Sequence, residues 1–152
     1  MTGINETYYQ QLTRCPVVAL GGYAAKHGLP GKLYACLLFD GPTGTGKDAL
    51  ATAMIRLATQ RGELKAGQPI VETGCGAFAA ALAMAAGRSG HPLTLVVPPA
   101  LEPERERFLQ GLGARLRPCY ERPAGQEGMD ILARRMAQEQ GAYYMNYLAS
   151  ED

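Results

Sequence analysis

The chain has 152 residues, 47% of them hydrophobic, with 15 basic against 14 acidic side chains and a net charge of +1. That length and apolar content suit one domain with a proper core, divided as an arm over 1–12, a core over 13–148 and a tail over 149–152. The even charge balance offers nothing to nucleic acid or an anionic membrane surface, and no run resembles a membrane span or a basic-then-apolar signal segment.

Cys15, Cys36, Cys75 and Cys119 are far apart with no C-x-x-C pair, and His27 and His91 lack neighbouring ligand candidates. Isolated thiols fit a reducing cytosol, and no metal centre is expected.

In chain order, residues 1–11 form a polar arm or helical turn. Val17 to Leu20 is apolar and broken by Gly21-Gly22. Tyr23 to His27 reads as a short helix stopped by Gly28-Leu29-Pro30-Gly31. Lys32 to Phe39, nearly all apolar and without alternation, reads as a buried strand. It runs into the glycine-rich turn Gly41-Pro42-Thr43-Gly44-Thr45-Gly46, and Lys47 stands where a helix begins. That helix extends to about Arg61 with Leu50, Met54, Leu57 and Ala58 on one face, and Gly62 caps it.

Ile70-Val71 is a short strand leading into the turn Glu72 to Gly76. Ala77 to Gly87 is an alanine-rich helix slim enough to lie close against a sheet, and Pro92 to Val97 is the next strand. Pro99 to Gly111 forms a helix buried through Phe108, Leu109 and Leu112. Its charges at Glu102, Glu104, Arg105, Glu106 and Arg107 read as a solvated face. Ala114 to Arg117 is a strand, Gly128 to Gln140 a helix with Ile131, Leu132 and Met136 inward, and Tyr143 to Leu148 an edge strand or loose tail. Strand and helix alternate with crossovers too long for hairpins. The pattern predicts an α/β fold, a three-layer open parallel sheet with helices on both faces.

Two chemistries use a glycine-rich turn ending in lysine. Gly41 to Lys47 fits the G-x-x-x-x-G-K spacing of a nucleotide-binding P-loop. That reading wants a Ser or Thr next for Mg²⁺ but meets Asp48. It also wants a later strand ending in Asp, whereas Leu93 to Val97 ends in Pro98-Pro99.

The second chemistry rests on a longer match. Pro42-Thr43-Gly44-Thr45-Gly46-Lys47-Asp48 resembles the N-P-T-G-S-x-K-D-R signature of the fold-type II pyridoxal phosphate (PLP) enzymes, which include cysteine synthases, cystathionine β-synthases, threonine deaminases and tryptophan synthase β chains. Thr13 to Leu20 is similar to their N-T-P-L-V-x-L strand, and Arg61-Gly62-Glu63-Leu64-Lys65-Ala66-Gly67 with Ile70-Val71-Glu72 to R-G-x-L-x-P-G-x-x-I-V-E. Leu82-Ala83-Met84-Ala85-Ala86, Leu95-Val96-Val97-Pro98, Glu104-Arg105 and Leu112-Gly113-Ala114 follow in register, so the resemblance spans roughly residues 11–147.

The resemblance implies the fold of that family's small domain and makes Lys47 the candidate Schiff-base lysine for PLP. Pro42, Thr43, Gly44 and Asp48 are its supporting turn, although the arginine expected after the aspartate is Ala49. The family's T-S-G-N-T-G loop corresponds to Thr73-Gly74-Cys75-Gly76-Ala77-Phe78, which keeps only Gly76 and replaces two polar contacts by Ala77 and Phe78. Cys75 keeps a weak donor or is a reactive thiol, and backbone N–H groups there remain available for an anion or small amino acid.

Family members run to about twice this length, and their phosphate cup and pyridine partner lie beyond the aligned region. The expectation is a truncated, partly degenerate cysteine synthase-like domain, cytoplasmic, non-catalytic alone and acting through a homodimer or protein partner. The alternatives are a β-elimination or β-replacement enzyme completed by a second chain, and a P-loop nucleotide binder.

Overall fold

The computed structural model describes residues 16–39 and 41–149. The arm predicted over 1–12, the strand residues Thr13 to Cys15, Asp40 and the last three residues of the tail lie outside them.

The strands are β1 (Val17–Ala19), β2 (Tyr34–Cys36), β3 (Ile70–Thr73), β4 (Leu93–Val97), β5 (Arg115–Pro118) and β6 (Tyr143–Tyr144). The helices are α1 (Gly21–Lys26), α2 (Lys47–Gln60), α3 (Ala77–Arg88), α4 (Pro103–Gly111) and α5 (Gln126–Gln140), followed by a 3₁₀ turn at Tyr147–Ala149. A four-stranded sheet of order β5-β4-β3-β6 is parallel throughout, with Val71 opposite Thr94 on one side and Tyr144 on the other.

Both faces of this sheet are covered, which is why β3 and β4 read as nearly continuous apolar runs. Ile70, Leu93, Leu95 and Val97 pack with α2, α3 and Leu109 of α4. The intervening Val71 and Val96 pack on Met129, Leu132, Ala133 and Met136 of α5. The predicted three layers are therefore present, held by the alternation of side chains along each strand. Burying a Leu or Val fully contributes about 1.5–3 kcal/mol each, and Leu95, Val96 and Val97 are all at most 1% exposed.

Local chemistry sets the element ends. After α2, Gly62 adopts φ +74° and its N–H donates to Thr59 O at 3.0 Å, the left-handed stop that glycine takes without a Cβ penalty. Pro103 opens α4, where its missing N–H would be unpaired in any case. In α3 the buried Ala79, Ala80, Ala81, Ala83, Ala85 and Ala86 keep the helix slim, so it packs on both α2 and β3.

Several expectations are corrected. The stretch Lys32 to Phe39 is not a buried strand: only Tyr34–Cys36 is extended, and it pairs antiparallel with β1 in a separate two-stranded ribbon. Val17, Tyr34, Leu38 and Phe39 are 63%, 56%, 52% and 60% exposed, because an apolar run records a preference for burial without naming what covers it. Gly21-Gly22 begins α1 instead of merely ending a strand. Helix α4 starts at Pro103, later than Pro99, and α5 at Gln126, earlier than Gly128. Phe108 and Ile131 face solvent; Leu109 and the Met129, Leu132, Ala133, Met136 stripe carry the burial. Of the cysteines expected to be isolated thiols, Cys75 and Cys119 are free but Cys36 is disulfide-bonded, and the thiol argument for a reducing compartment falls with it.

Candidate functional site

Strand β3 leads to β4 through α3 on one face, whereas β6 is reached from β5 through α5 on the other. The carboxyl ends of β3 and β6 therefore flank a point where the winding reverses, the place where open α/β sheets leave a crevice. Glu72 and Thr73 end β3, and Tyr147 follows β6.

The glycine-rich turn is held from inside. Asp48, 1% exposed, accepts from Thr43 N–H at 3.1 Å and Thr43 Oγ1 at 2.8 Å. Gly44, at φ +71°, donates to Gly41 O at 2.9 Å. A Cβ on Gly41 would stand 2.2 Å from Asp48 Oδ2, so only glycine lets the carboxylate in. Thr45 Oγ1 accepts from Lys47 N–H at 3.3 Å, and Pro42 lies on the exposed rim. The Asp48 carboxyl thus takes the Thr43 N–H that a P-loop would leave for a phosphate.

Lys47 leaves the first turn of α2 half-buried. Its Nζ donates to Tyr147 Oη at 2.5 Å and lies 4.9 Å from that ring's centroid. On the other side Tyr147 stacks on Phe78, with ring centroids 4.0 Å apart and planes 16° from parallel. Its N–H donates to Glu72 Oε2 at 2.9 Å. Glu72, 2% exposed, also accepts from Thr73 N–H at 2.6 Å. Burial pushes its carboxyl above the usual range, outweighing the backbone N–H groups of Thr73 and Tyr147 that draw it down.

The network continues beneath. Thr73 Oγ1 accepts from Gln126 Nε2 at 2.7 Å and lies 3.3 Å from Asp130 Oδ1. Asp130 in turn accepts from Tyr144 Oη at 2.8 Å. Burial first, then that bond, raises the Tyr144 phenol far above its ordinary value, so it stays a neutral donor.

The turn Thr73-Gly74-Cys75-Gly76-Ala77-Phe78 joins β3 to α3. Gly74 N–H donates to Val96 O at 2.8 Å, and Cys75 packs partly against the core. Arg105, expected on a solvated face, reaches back from α4: its Nε donates to Cys75 O at 2.5 Å and its Nη2 to Gly76 O at 2.7 Å.

Of the residues singled out in the sequence, Lys47 and Phe78 thus meet through Tyr147, while Asp48 closes its own turn. Tyr147, Glu72, Asp130 and Arg105 are participants that the sequence reading missed. A lone tyrosine near a chain end carries no local signal, and Arg105 is hidden in a run of charges.

The family described as "Pyridoxal-phosphate dependent enzyme" matches residues 9–152. The chain is similar to cysteine synthase B of Escherichia coli (strain K12), 32% identical over 131 residues, covering 86% of this chain and 42% of that protein. It is also similar to cystathionine beta-synthase of Apis mellifera, 34% identical over 101 residues, covering 66% of this chain and 20% of that protein. Among solved structures, O-ureido-L-serine synthase superposes with a TM-score of 0.79 at 26% identity, over 94% of this chain and 44% of that one. O-acetyl serine sulfhydrylase isoform 3 of Entamoeba histolytica shares the fold, with a TM-score of 0.83 at 22% identity over 98% and 45% of the two chains. This chain spans less than half the length of these relatives.

Proposed function

The chain belongs to the pyridoxal-phosphate dependent enzymes, and from that premise we propose that it is a partly degenerate cysteine synthase-like domain. It binds a small amino acid or anion at the turn Gly74 to Phe78, does not catalyse alone, and acts through a second copy or a protein partner. The carrying observation is the convergence of Lys47, Tyr147 and Phe78: the candidate amine is bonded to the Tyr147 hydroxyl, and the Tyr147 ring stacks on Phe78.

Toward the cofactor the residues fit only in part. By the motif resemblance Lys47 is the candidate for the family's lysine and would meet the cofactor aldehyde, the electron sink of this chemistry when bound. Its amine, however, is engaged by Tyr147. The glycine-rich turn before Lys47 is taken up by the Asp48 carboxyl, which accepts from Thr43 N–H and Thr43 Oγ1. These residues do not make a complete site for the group.

Exposed apolar side chains on and beside the β1–β2 ribbon support association: Val17, Tyr34, Leu38 and Phe39 are all more than half exposed, and exposed apolar patches mark interaction sites. A concentration-dependent dimer in sedimentation is expected; a monomer at all concentrations speaks against it.

Absorbance spectra of the purified chain with PLP test the catalytic half of the reading. No band in the imine region that depends on Lys47 is expected. A band lost on Lys47→Ala overturns it and favours the second reading, a β-elimination or β-replacement enzyme completed by another chain. That reading draws its support from the match to less than half of each relative.

A further inference from the structure

At the end of the sheet remote from Lys47, the last turns of α2 meet the loop that carries the chain from α3 into β4. Between them lies a cleft of about 320 Å³ whose lining includes Ile55, Arg56 and Gln60 of α2, with Ala66, Ser89 and His91. Arg56 is nine residues beyond Lys47, about 13 Å along the helix axis, so the cleft is separate from the junction at Tyr147. His91 is its deepest polar group, 7% exposed. The His91 Nδ1 lies 3.0 Å from Gln68 O; a carbonyl only accepts, so Nδ1 carries a proton and donates. The other ring nitrogen, Nε2, has no partner among the described residues. It is not sealed in either, since Thr52 Oγ1 is the sole fully buried side-chain polar atom left unpaired among them. Nε2 therefore opens on the cleft that His91 lines.

The lining carries one sign of charge. The Arg56 guanidinium is exposed and has no ion-pair partner among the described residues, and none of the residues around the cleft is a carboxylate. Gln60 and Ser89 add an amide and a hydroxyl, whereas the neighbouring Thr59 hydroxyl is spent on Ile55 O at 2.8 Å. Helices α2 and α3 both end here, and their dipoles oppose an anion. Their last carbonyls are nevertheless occupied: Leu57 O and Thr59 O accept from Arg61 and Gly62, and Ala85 O and Ala86 O from Ser89.

We propose that this cleft is a phosphate site, taking inorganic phosphate or a small phosphate monoester between Arg56 and His91. The guanidinium fork matches two phosphate oxygens at once. Phosphate also suits a lone ring nitrogen in either protonation state, because its second ionisation, about 6 in a monoester, lies close to that of an ordinary imidazole, about 6.5. As a monoanion it donates its O–H to a neutral ring; as a dianion it accepts from the imidazolium. Sulfate has no proton to give and is held less well. The site does not depend on amino-acid binding at the turn Gly74 to Phe78.

The test titrates the full chain with sodium phosphate, sodium sulfate and O-phospho-L-serine near neutral pH at fixed ionic strength, following the His91 ring by NMR. Only two histidines are present, and His91→Asn assigns the signal while keeping a donor for Gln68 O and deleting Nε2. A saturable shift with phosphate is expected, with binding about tenfold weaker for sulfate and about tenfold weaker in Arg56→Gln. Phosphate-dependent broadening of the phosphorus signal should vanish in His91→Asn. Tighter binding of O-phospho-L-serine than of phosphate assigns the site to a monoester; equal or weaker binding assigns it to free phosphate. No saturation, an equal response to sulfate, or phosphate binding undiminished in either variant overturns the proposal. Arg56 is exposed, so its variant decides the matter even where His91→Asn does not fold.

Discussion

Lys47 Nζ and Tyr147 Oη lie 2.5 Å apart although 100 positions separate them in the chain. The pair joins the first turn of α2 to the segment after β6, and through the Tyr147 N–H it is tied to the buried Glu72 at the end of β3. Three elements thus share one small polar junction under an aromatic cover. Tyr147→Phe removes the hydroxyl and keeps the ring stacked on Phe78. Losing this partly exposed bond is expected to cost about 1 kcal/mol, about fivefold in the availability of the amine. Trinitrobenzenesulfonate labelling of Lys47, followed by mass spectrometry, should quicken by that factor.

Glu72 makes the junction pH-dependent. Burial raises its carboxyl, and Asp130 adds to the rise, against the lowering by its N–H partners. A folded-state value above the unfolded one means that the stability linked to this group is fully present below the unfolded value, about 4.3. It is lost as pH climbs through the folded value. The melting temperature of the wild type minus that of Glu72→Gln should therefore be largest in acid, fall as pH rises from about 4, and level off once Glu72 is ionised. Calorimetric melts at half-unit pH steps check the sign of that slope.

Thr52, on α2, is 7% exposed, and its hydroxyl has no hydrogen-bond partner among the described residues. A buried hydroxyl left unpaired is a desolvation penalty with nothing set against it. Thr52→Val keeps the shape and removes the polar atom, and should stabilise the chain by about 1 kcal/mol in urea unfolding.

Asp48 and Gly41 should behave as a coupled pair. Asp48→Ala strips Thr43 of the acceptor for both its N–H and its hydroxyl, with an expected loss of about 2 kcal/mol. Gly41→Ala alone drives a methyl to within 2.2 Å of the same carboxylate oxygen and should be at least as damaging. Once the carboxylate is gone the methyl has room, so the double variant should lose less than the sum of the singles. A double-mutant cycle by chemical denaturation measures the difference.

The centre of the sheet was legible because β3 and β4 are buried on both faces, so Ile70-Val71 and Leu93 to Val97 stood out as short apolar runs between turn signals. Helix interiors were legible from their period, as with Met54 and Ala58 or Leu132 and Met136. Inward direction was misjudged at Phe108 and Ile131, where one large apolar residue on a helix face competed with small ones such as Ala133 for the covered stripe. Lys32 to Phe39 misled for a related reason: its apolarity is real, but the main sheet does not take it up.

The sequence by itself determined the layered α/β architecture, the turn before Lys47 and the family's motif around it, because periodicity, glycine placement and short-range spacing are local properties of the chain. Only the tertiary structure decided that Tyr147 meets Lys47, that Phe78 stacks on Tyr147, and that Arg105 serves the turn at Cys75 and Gly76 instead of solvent. Those meetings depend on how β6 is carried to the edge of β3 and how α4 is laid beside α3. Such crossover geometry results from the packing of all the layers together and leaves no pattern in any one segment.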